Sequence, residues 1–384
     1  MKTFSKLITY CLLLVFSLSF YACEKDDMTL FDVTIQKDHS LITLGDELPQ
    51  PQIPIISEDV TQFSTKQIQT AIVEFEGGNE DPIEAYLFIP GAYDSQVKFV
   101  ILLHGSGGAL DGPDDNTNAF TGKSSLTDQY EQWVDDLLAE GYGVFVINSF
   151  KGAGRARING EDDYIGVKPP NDAPFTPYRV RAEDVKLGVS RLKGLQDHNN
   201  QHFVGDMVLL GFSHGATAAI SAVHDYSRTQ VGGVDEMVKW SVKSSGVEYD
   251  TTAYEAPLSN QNADVQGAIA YYGGTYGFGY FTDYAPGEGT AYRYHLNKHL
   301  MIHHGTEDAT ISIGTANKKW TPRGFEHHIN QGNYAQDADF HFYEWLDAEH
   351  SFDMPSVMGQ PNIDARNGAR VLTFKFLNEY LGQN

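Results

Sequence analysis

Met207-Val-Leu-Leu210 runs into Gly211-Phe212-Ser213-His214-Gly215 and then into the small residues of Ala216 to Val223. The first stretch is apolar and reads as a buried strand, the last is helix-compatible, and a G-x-S-x-G motif fills the turn between them. Strand, glycine-flanked turn and helix form the context in which this motif lifts a serine hydroxyl above a sheet, the nucleophile elbow. Ser213 is therefore the candidate nucleophile. The N–H of His214 opens the helix, where backbone donors lack intrahelical acceptors and favour negative charge. It is a candidate donor to a developing oxyanion. A serine hydroxyl is a poor nucleophile at neutral pH; it needs a base, and the base needs a group to orient it.

Residues of the right type follow in the order Ser, acid, His that goes with an elbow. Leu300-Met-Ile-His-His304 reads as a strand, and Gly305-Thr306-Glu307-Asp308 follows it. Asp308 is the first choice for the orienting acid and Glu307 the second. The apolar segment Phe340 to Trp345 leads into Leu346-Asp-Ala-Glu-His350-Ser-Phe-Asp353, so His350 is the candidate base in a loop before the last helix. Asp353 is an alternative orienting acid. His104-Gly105-Ser106-Gly107-Gly108 follows another apolar strand, and its glycines let backbone N–H groups approach a ligand closely. The N–H of Ser106 is the candidate second oxyanion donor, whereas His104 reads as a structural strand-end residue.

The elements that must position these groups alternate. An antiparallel hairpin is expected over Gln67 to Glu76 and Ile83 to Ile89, with strands at Lys98–His104, Gly143–Phe150, Gly267–Tyr272, Leu300–His304 and Phe340–Trp345. Helical spacing marks Leu126–Glu140, Arg179–Leu195 with Val185, Val189 and Leu192 on one stripe, and a closing helix over Ala365–Leu381. Alternating strands and helices imply an α/β fold with a mostly parallel sheet covered on both faces and a leading antiparallel hairpin. Two stretches break the alternation, 226–264 and the aromatic-rich 273–298, and are expected to shape a lid or a substrate wall. Tyr276 and Phe278 in the second, and Arg155 before the Arg179 helix, are candidate substrate-binding residues.

Taken together, His104-Gly-Ser-Gly-Gly108, Gly211-Phe-Ser-His-Gly215, Gly305-Thr-Glu-Asp308 and His350-Ser-Phe352 resemble the dienelactone hydrolase-like branch of the α/β-hydrolase superfamily. Asn148-Ser149-Phe150, with Gly154-Arg155 after it, is similar to a strand-end segment of that branch. The likeness covers about residues 65–382. It implies an α/β-hydrolase fold and ester cleavage through an acyl-enzyme, with Ser213 as nucleophile, His350 as base, Asp308 as orienting acid, and no metal or organic cofactor. Dienelactone hydrolases carry a cysteine at the elbow; the serine here points to a more general esterase. A peptidase or amidase on the same scaffold, or a non-catalytic surface ligand-binding lipoprotein, are the competing readings.

Composition bounds the rest. The 384 residues carry a formal charge of −24, which repels phosphate backbones and disfavours nucleic acid as a partner. A small-molecule, glycan or polymer ester is the expected substrate. Although there are 14 histidines, no H-E-x-x-H is present, and neighbours on a strand such as His303 and His304 face opposite ways, so no metal site is expected. Residues 1–22 read as an export signal, with Lys2 and Lys6 ahead of an apolar core too short to favour a permanent span. Phe20-Tyr21-Ala22-Cys23 resembles a bacterial lipobox, and Glu24-Lys25-Asp26-Asp27 resembles a surface-export tag of outer-membrane lipoproteins. Cys23 is then the lipidation site, 23–64 a tether and lead-in, and 65–384 the catalytic domain, anchored to the outer membrane.

Overall fold

The computed structural model describes residues 69–152 apart from 78–81, 92–95 and 112–119; 180–225 apart from 198; 263–275; 294–316; and 321–382. Short strand segments between 55 and 63 and between 230 and 250 are also described. All of these belong to one compact unit, Leu48–Asn384.

Eight strands build the main sheet: β1 (Gln69–Glu76), β2 (Pro82–Ile89), β3 (Val97–Leu103), β4 (Gly143–Asn148), β5 (Val204–Phe212), β6 (Gly267–Tyr271), β7 (His299–Gly305) and β8 (Phe340–Trp345). Their spatial order is β1-β2-β4-β3-β5-β6-β7-β8, and Ile55–Ile56 adds a ninth, parallel strand beside β1. β1 and β2 pair antiparallel, as do β2 and β4; every pairing from β4 to β8 is parallel. This order, with its antiparallel start and its crossover between the third and fourth strands, is the α/β-hydrolase arrangement.

The apolar runs explain the layers. Along β3, Val97, Phe99, Ile101 and Leu103 pack on one face and Val100 and Leu102 on the other, as a strand buried on both sides requires. Helix α2 (Val180–Lys193), α3 (His214–Ala222) and α4 (Pro322–Asn330) cover the first face through Val185, Val189, Ile220, Phe325 and Ile329. Helix α1 (Asp128–Ala139) and α5 (Gln360–Tyr380) cover the second through Trp133, Leu137, Ala369 and Phe376.

Three local features depart from expectation. The strand expected to reach Phe150 ends at Asn148, and Ser149–Gly152 turns helical. Asn148 is buried and drives the change: its Oδ1 accepts from the Phe150 N–H (3.3 Å) while its Nδ2 donates to the Tyr86 hydroxyl (2.9 Å). The closing helix begins at Gln360 instead of Ala365, because Gly359 takes φ 116° at the cap and Pro361 suits a first turn. Helix α4, not foreseen, starts where the Thr321 hydroxyl accepts from the Gly324 N–H (3.3 Å). In the 226–264 insertion, Gln230–Val231 pairs with Val234–Asp235 and Ser241–Ser244 with Val247–Asp250, both antiparallel. The middle of the 273–298 insertion, with Tyr276 and Phe278, lies outside the described residues, as do Arg155, Cys23 and the 1–22 segment.

Candidate active site

The elbow forms as its composition dictates. Ser213 sits between β5 and α3 with φ 50° and ψ −114°, a conformation that costs on the order of 1–3 kcal/mol and persists only when the surroundings over-determine it. They do. The Ser213 N–H donates to the Tyr271 carbonyl at the end of β6 (2.9 Å), and its carbonyl accepts from the Thr217 N–H (3.1 Å). A methyl group on Gly211 would lie 2.4 Å from the Gly215 carbonyl oxygen, and one on Gly215 would lie 2.1 Å from that of Leu103. Both flanking glycines are therefore imposed by backbone meeting backbone. The result is a half-buried serine amid buried neighbours.

Two further loops bring the base and the acid to it. The loops after β7 and β8 are tied together: Glu307 N–H donates to Ala348 O (3.0 Å), Thr306 N–H to Trp345 O (3.0 Å), and Asp347 N–H to the Thr306 hydroxyl (2.8 Å). Within this frame His350 Nδ1 lies 2.7 Å from Asp308 Oδ2, and His350 Nε2 lies 3.0 Å from Ser213 Oγ. A carboxylate only accepts, so the partners assign the tautomer: Nδ1–H donates to Asp308, and Nε2 accepts from the serine hydroxyl. The Asp308 side chain is fully buried, and its Oδ1 accepts from the Thr310 and Ile311 N–H groups at 2.9 and 2.7 Å. Asp308 thus holds two backbone donors on Oδ1 and the His350 ring on Oδ2, whereas Glu307 is exposed.

A fully buried imidazole, His304, stands behind the acid. His304 Nε2 lies 2.8 Å from Ile311 O and 3.4 Å from Asp308 Oδ2. Burial pulls its pKa below the ordinary range, which keeps the ring neutral with Nε2–H donating. His303, its neighbour on β7, faces the opposite side, against Tyr271, Tyr343 and Trp345.

Asp353, considered above as an alternative partner for His350, is committed elsewhere. It is buried and accepts from the Tyr272 hydroxyl, from Gln129 Nε2 (2.8 Å) and from Trp133 Nε1 (3.1 Å). Burial raises its pKa, and the three donors oppose that rise. Tyr272 holds φ 43°, and its ring lies 4.7 Å from that of His350. One buried carboxylate therefore joins α1, the end of β6 and the histidine loop.

On the other side of Ser213, the His104–Gly108 loop comes close: a methyl on Gly105 would stand 3.5 Å from Ser213 Cβ. The Gly105 N–H donates to the Tyr130 hydroxyl (2.8 Å), and Ser106, next along, is half-buried. The His104 ring is buried, its Nδ1–H donating to Gly105 O (2.7 Å); burial, and next the Arg181 charge, hold its pKa well below the ordinary range. Sequence reasoning missed Arg181, Gln129, Trp133 and Tyr272. The signal was present for two of them. Arg181 stands four residues before Val185 on the apolar stripe of α2, and Gln129 four before Trp133 on that of α1. A charged or polar side chain on a core-facing stripe must find a buried partner.

No family model matches the sequence, and no curated protein matches it. Among solved structures, the chain is similar to a dienelactone hydrolase-like promiscuous phosphotriesterase from metagenomic libraries (10% identity, 82% of this chain and 99% of that one, TM-score 0.47). It is also similar to an esterase of Pyrococcus furiosus (15%, 82% and 94%, TM-score 0.43). A third is esterase 2 of Thermogutta terrifontis (16%, 83% and 97%, TM-score 0.48).

Proposed function

We propose that the chain is a serine ester hydrolase acting through an acyl-enzyme. The supporting observation is the unbroken line Asp308–His350–Ser213, with separations of 2.7 and 3.0 Å, on a strained serine at the C-terminal end of the sheet. In this reading Ser213 Oγ attacks the ester carbonyl carbon while its proton passes to His350 Nε2. Asp308 stabilises the imidazolium and keeps Nδ1 protonated. The carbonyl oxygen becomes an oxyanion, which in this reading accepts from the N–H groups of Ser106 and His214. The tetrahedral intermediate collapses, the C–O bond to the alcohol breaks, and His350 returns the proton to the leaving alkoxide. Water then repeats the sequence on the acyl-serine and releases the acid. Lipidation at Cys23 would hold this body at the outer membrane, facing neutral esters that an acidic protein does not repel.

The test is hydrolysis of a p-nitrophenyl acyl ester series and of matching peptide anilides by the parent and Ser213→Ala proteins. Ester turnover by the parent, falling at least 10³-fold in the variant with the melting temperature kept, is expected. Equal rates in both proteins, or turnover of anilides alone, would contradict it.

A further inference from the structure

A single buried cation stands behind both sides of the candidate oxyanion pocket. Arg181, in the first turn of α2, is 1% exposed. Its Nη1, which carries two hydrogens, donates one to the His104 carbonyl oxygen (2.8 Å) and meets His214 Nδ1 at 2.8 Å. A guanidinium nitrogen cannot accept, so His214 Nδ1 is the acceptor and the His214 ring is neutral with its proton on Nε2. The guanidinium lies over the Phe150 ring, 5.4 Å from its centre, and the same ring packs against His104 (4.4 Å) and His214 (6.3 Å). His104 O is also among the atoms that Gly215 is cut away to admit, 2.5 Å from where a methyl there would stand. The loop that carries Ser106 and the helix start that carries the His214 N–H are thus in direct contact, with one guanidinium nitrogen, Nη1, fastening them.

We infer that Arg181 is a positioning residue for transition-state stabilisation, locking the Ser106 and His214 N–H groups in register and supplying a fixed positive charge behind them. The inference rests on the ester-hydrolase reading. An arginine stays charged at any working pH and is held here in one orientation. Its charge sits in a low-dielectric interior, where it acts strongly on an oxyanion and needs no reorganisation during reaction. It touches neither substrate nor serine, and it helps only when negative charge appears on the carbonyl oxygen. Its loss must therefore appear in kcat and leave KM almost untouched.

The experiment measures kcat, KM and melting temperature on p-nitrophenyl acetate for the full chain, Arg181→Lys and Arg181→Met. Losing one oxyanion donor costs about 10²–10³ in kcat. Loosening two of them should cost Arg181→Met about 100-fold and Arg181→Lys, which keeps the charge and loses the rigid plane that aims the two Nη1 hydrogens, about 10-fold. KM should stay within about twofold, and the alkaline and acid limbs of the kcat/KM profile should not move. Should Arg181→Met fail to fold, the lysine variant alone decides. A folded variant with kcat within threefold of the parent overturns the inference while the hydrolase reading stands, as does a fall that appears in KM. A parent protein without ester turnover removes the hydrolase reading itself.

Discussion

Gly215→Ala is the substitution whose outcome separates two physical expectations most cleanly. The residue lies in the first turn of α3, where helix propensity alone favours alanine by about 1 kcal/mol. Packing says the reverse. The new methyl would stand 2.1 Å from Leu103 O, 2.5 Å from His104 O and 2.6 Å from Leu103 C, all backbone atoms of the central strand and its following loop. These atoms are held by pairing of β3 to β4 and β5 and cannot swing aside as a flexible side chain could. Relief of the overlap requires the elbow to retreat by about 1 Å, carrying Ser213 and the His214 N–H away from the His104–Gly108 loop. A misplacement of that size costs about 10²-fold in rate, and the overpacking costs about 1–3 kcal/mol in stability, more than propensity returns. Stopped assays on p-nitrophenyl acetate give kcat, and urea unfolding gives the stability change. A variant with kcat within threefold of the parent and unchanged or greater stability would refute the claim that this glycine is imposed by backbone contact.

Two stability predictions follow from buried polar groups. Asp353→Ala removes the shared acceptor of Tyr272, Gln129 and Trp133; Gln129 still reaches the Tyr272 hydroxyl (2.9 Å), which leaves two donors orphaned at roughly 1–3 kcal/mol each. Urea unfolding should show a loss of about 2–6 kcal/mol, and a loss under 1 kcal/mol would contradict it. His303 is buried and its pKa is pulled to about 3 by burial, aided by the nearby His341. The unfolded chain binds a proton there below about pH 6.5 and the folded chain does not, so this contribution is complete above about 6.5 and is lost as pH falls toward 3. Moving from pH 8 to pH 5 should cost about 2 kcal/mol from His303 alone. His104, His224 and His304 shift in the same direction, while the raised Asp353 acts oppositely. Equal urea midpoints at the two pH values would show that this set does not govern acid stability.

The parts legible in the sequence were those with a local physical cause. Alternating apolar runs located the strands because a doubly covered parallel sheet leaves few other places for Val100 to Leu103 or Val208 to Leu210. Gly211 and Gly215 announced the elbow because backbone crowding leaves no other residue there. An acid at 307 or 308 and the base His350 were readable from their positions just after strands, where loops converge at one end of such a sheet, and the resemblance to α/β-hydrolases put Asp308 ahead of Glu307. What could not be read is what depends on pairing between distant segments. Arg181 precedes His214 by 33 residues, and Gln129 precedes Asp353 by 224. Periodicity indicates that each side chain faces inward and says nothing of which partner waits there. The end of β4 was misjudged for a related reason: Asn148 is compatible with a strand until its side chain finds the Phe150 N–H and Tyr86.

The central claim is that one hydroxyl is activated by one imidazole, and a fluorophosphonate probe tests it most directly. Intact-mass and peptide analysis of the full chain should show one adduct, on Ser213, at a rate that falls at least 100-fold in His350→Ala and vanishes in Ser213→Ala. An unlabelled parent protein, an adduct on another residue, or labelling that ignores the loss of His350 would contradict the claim.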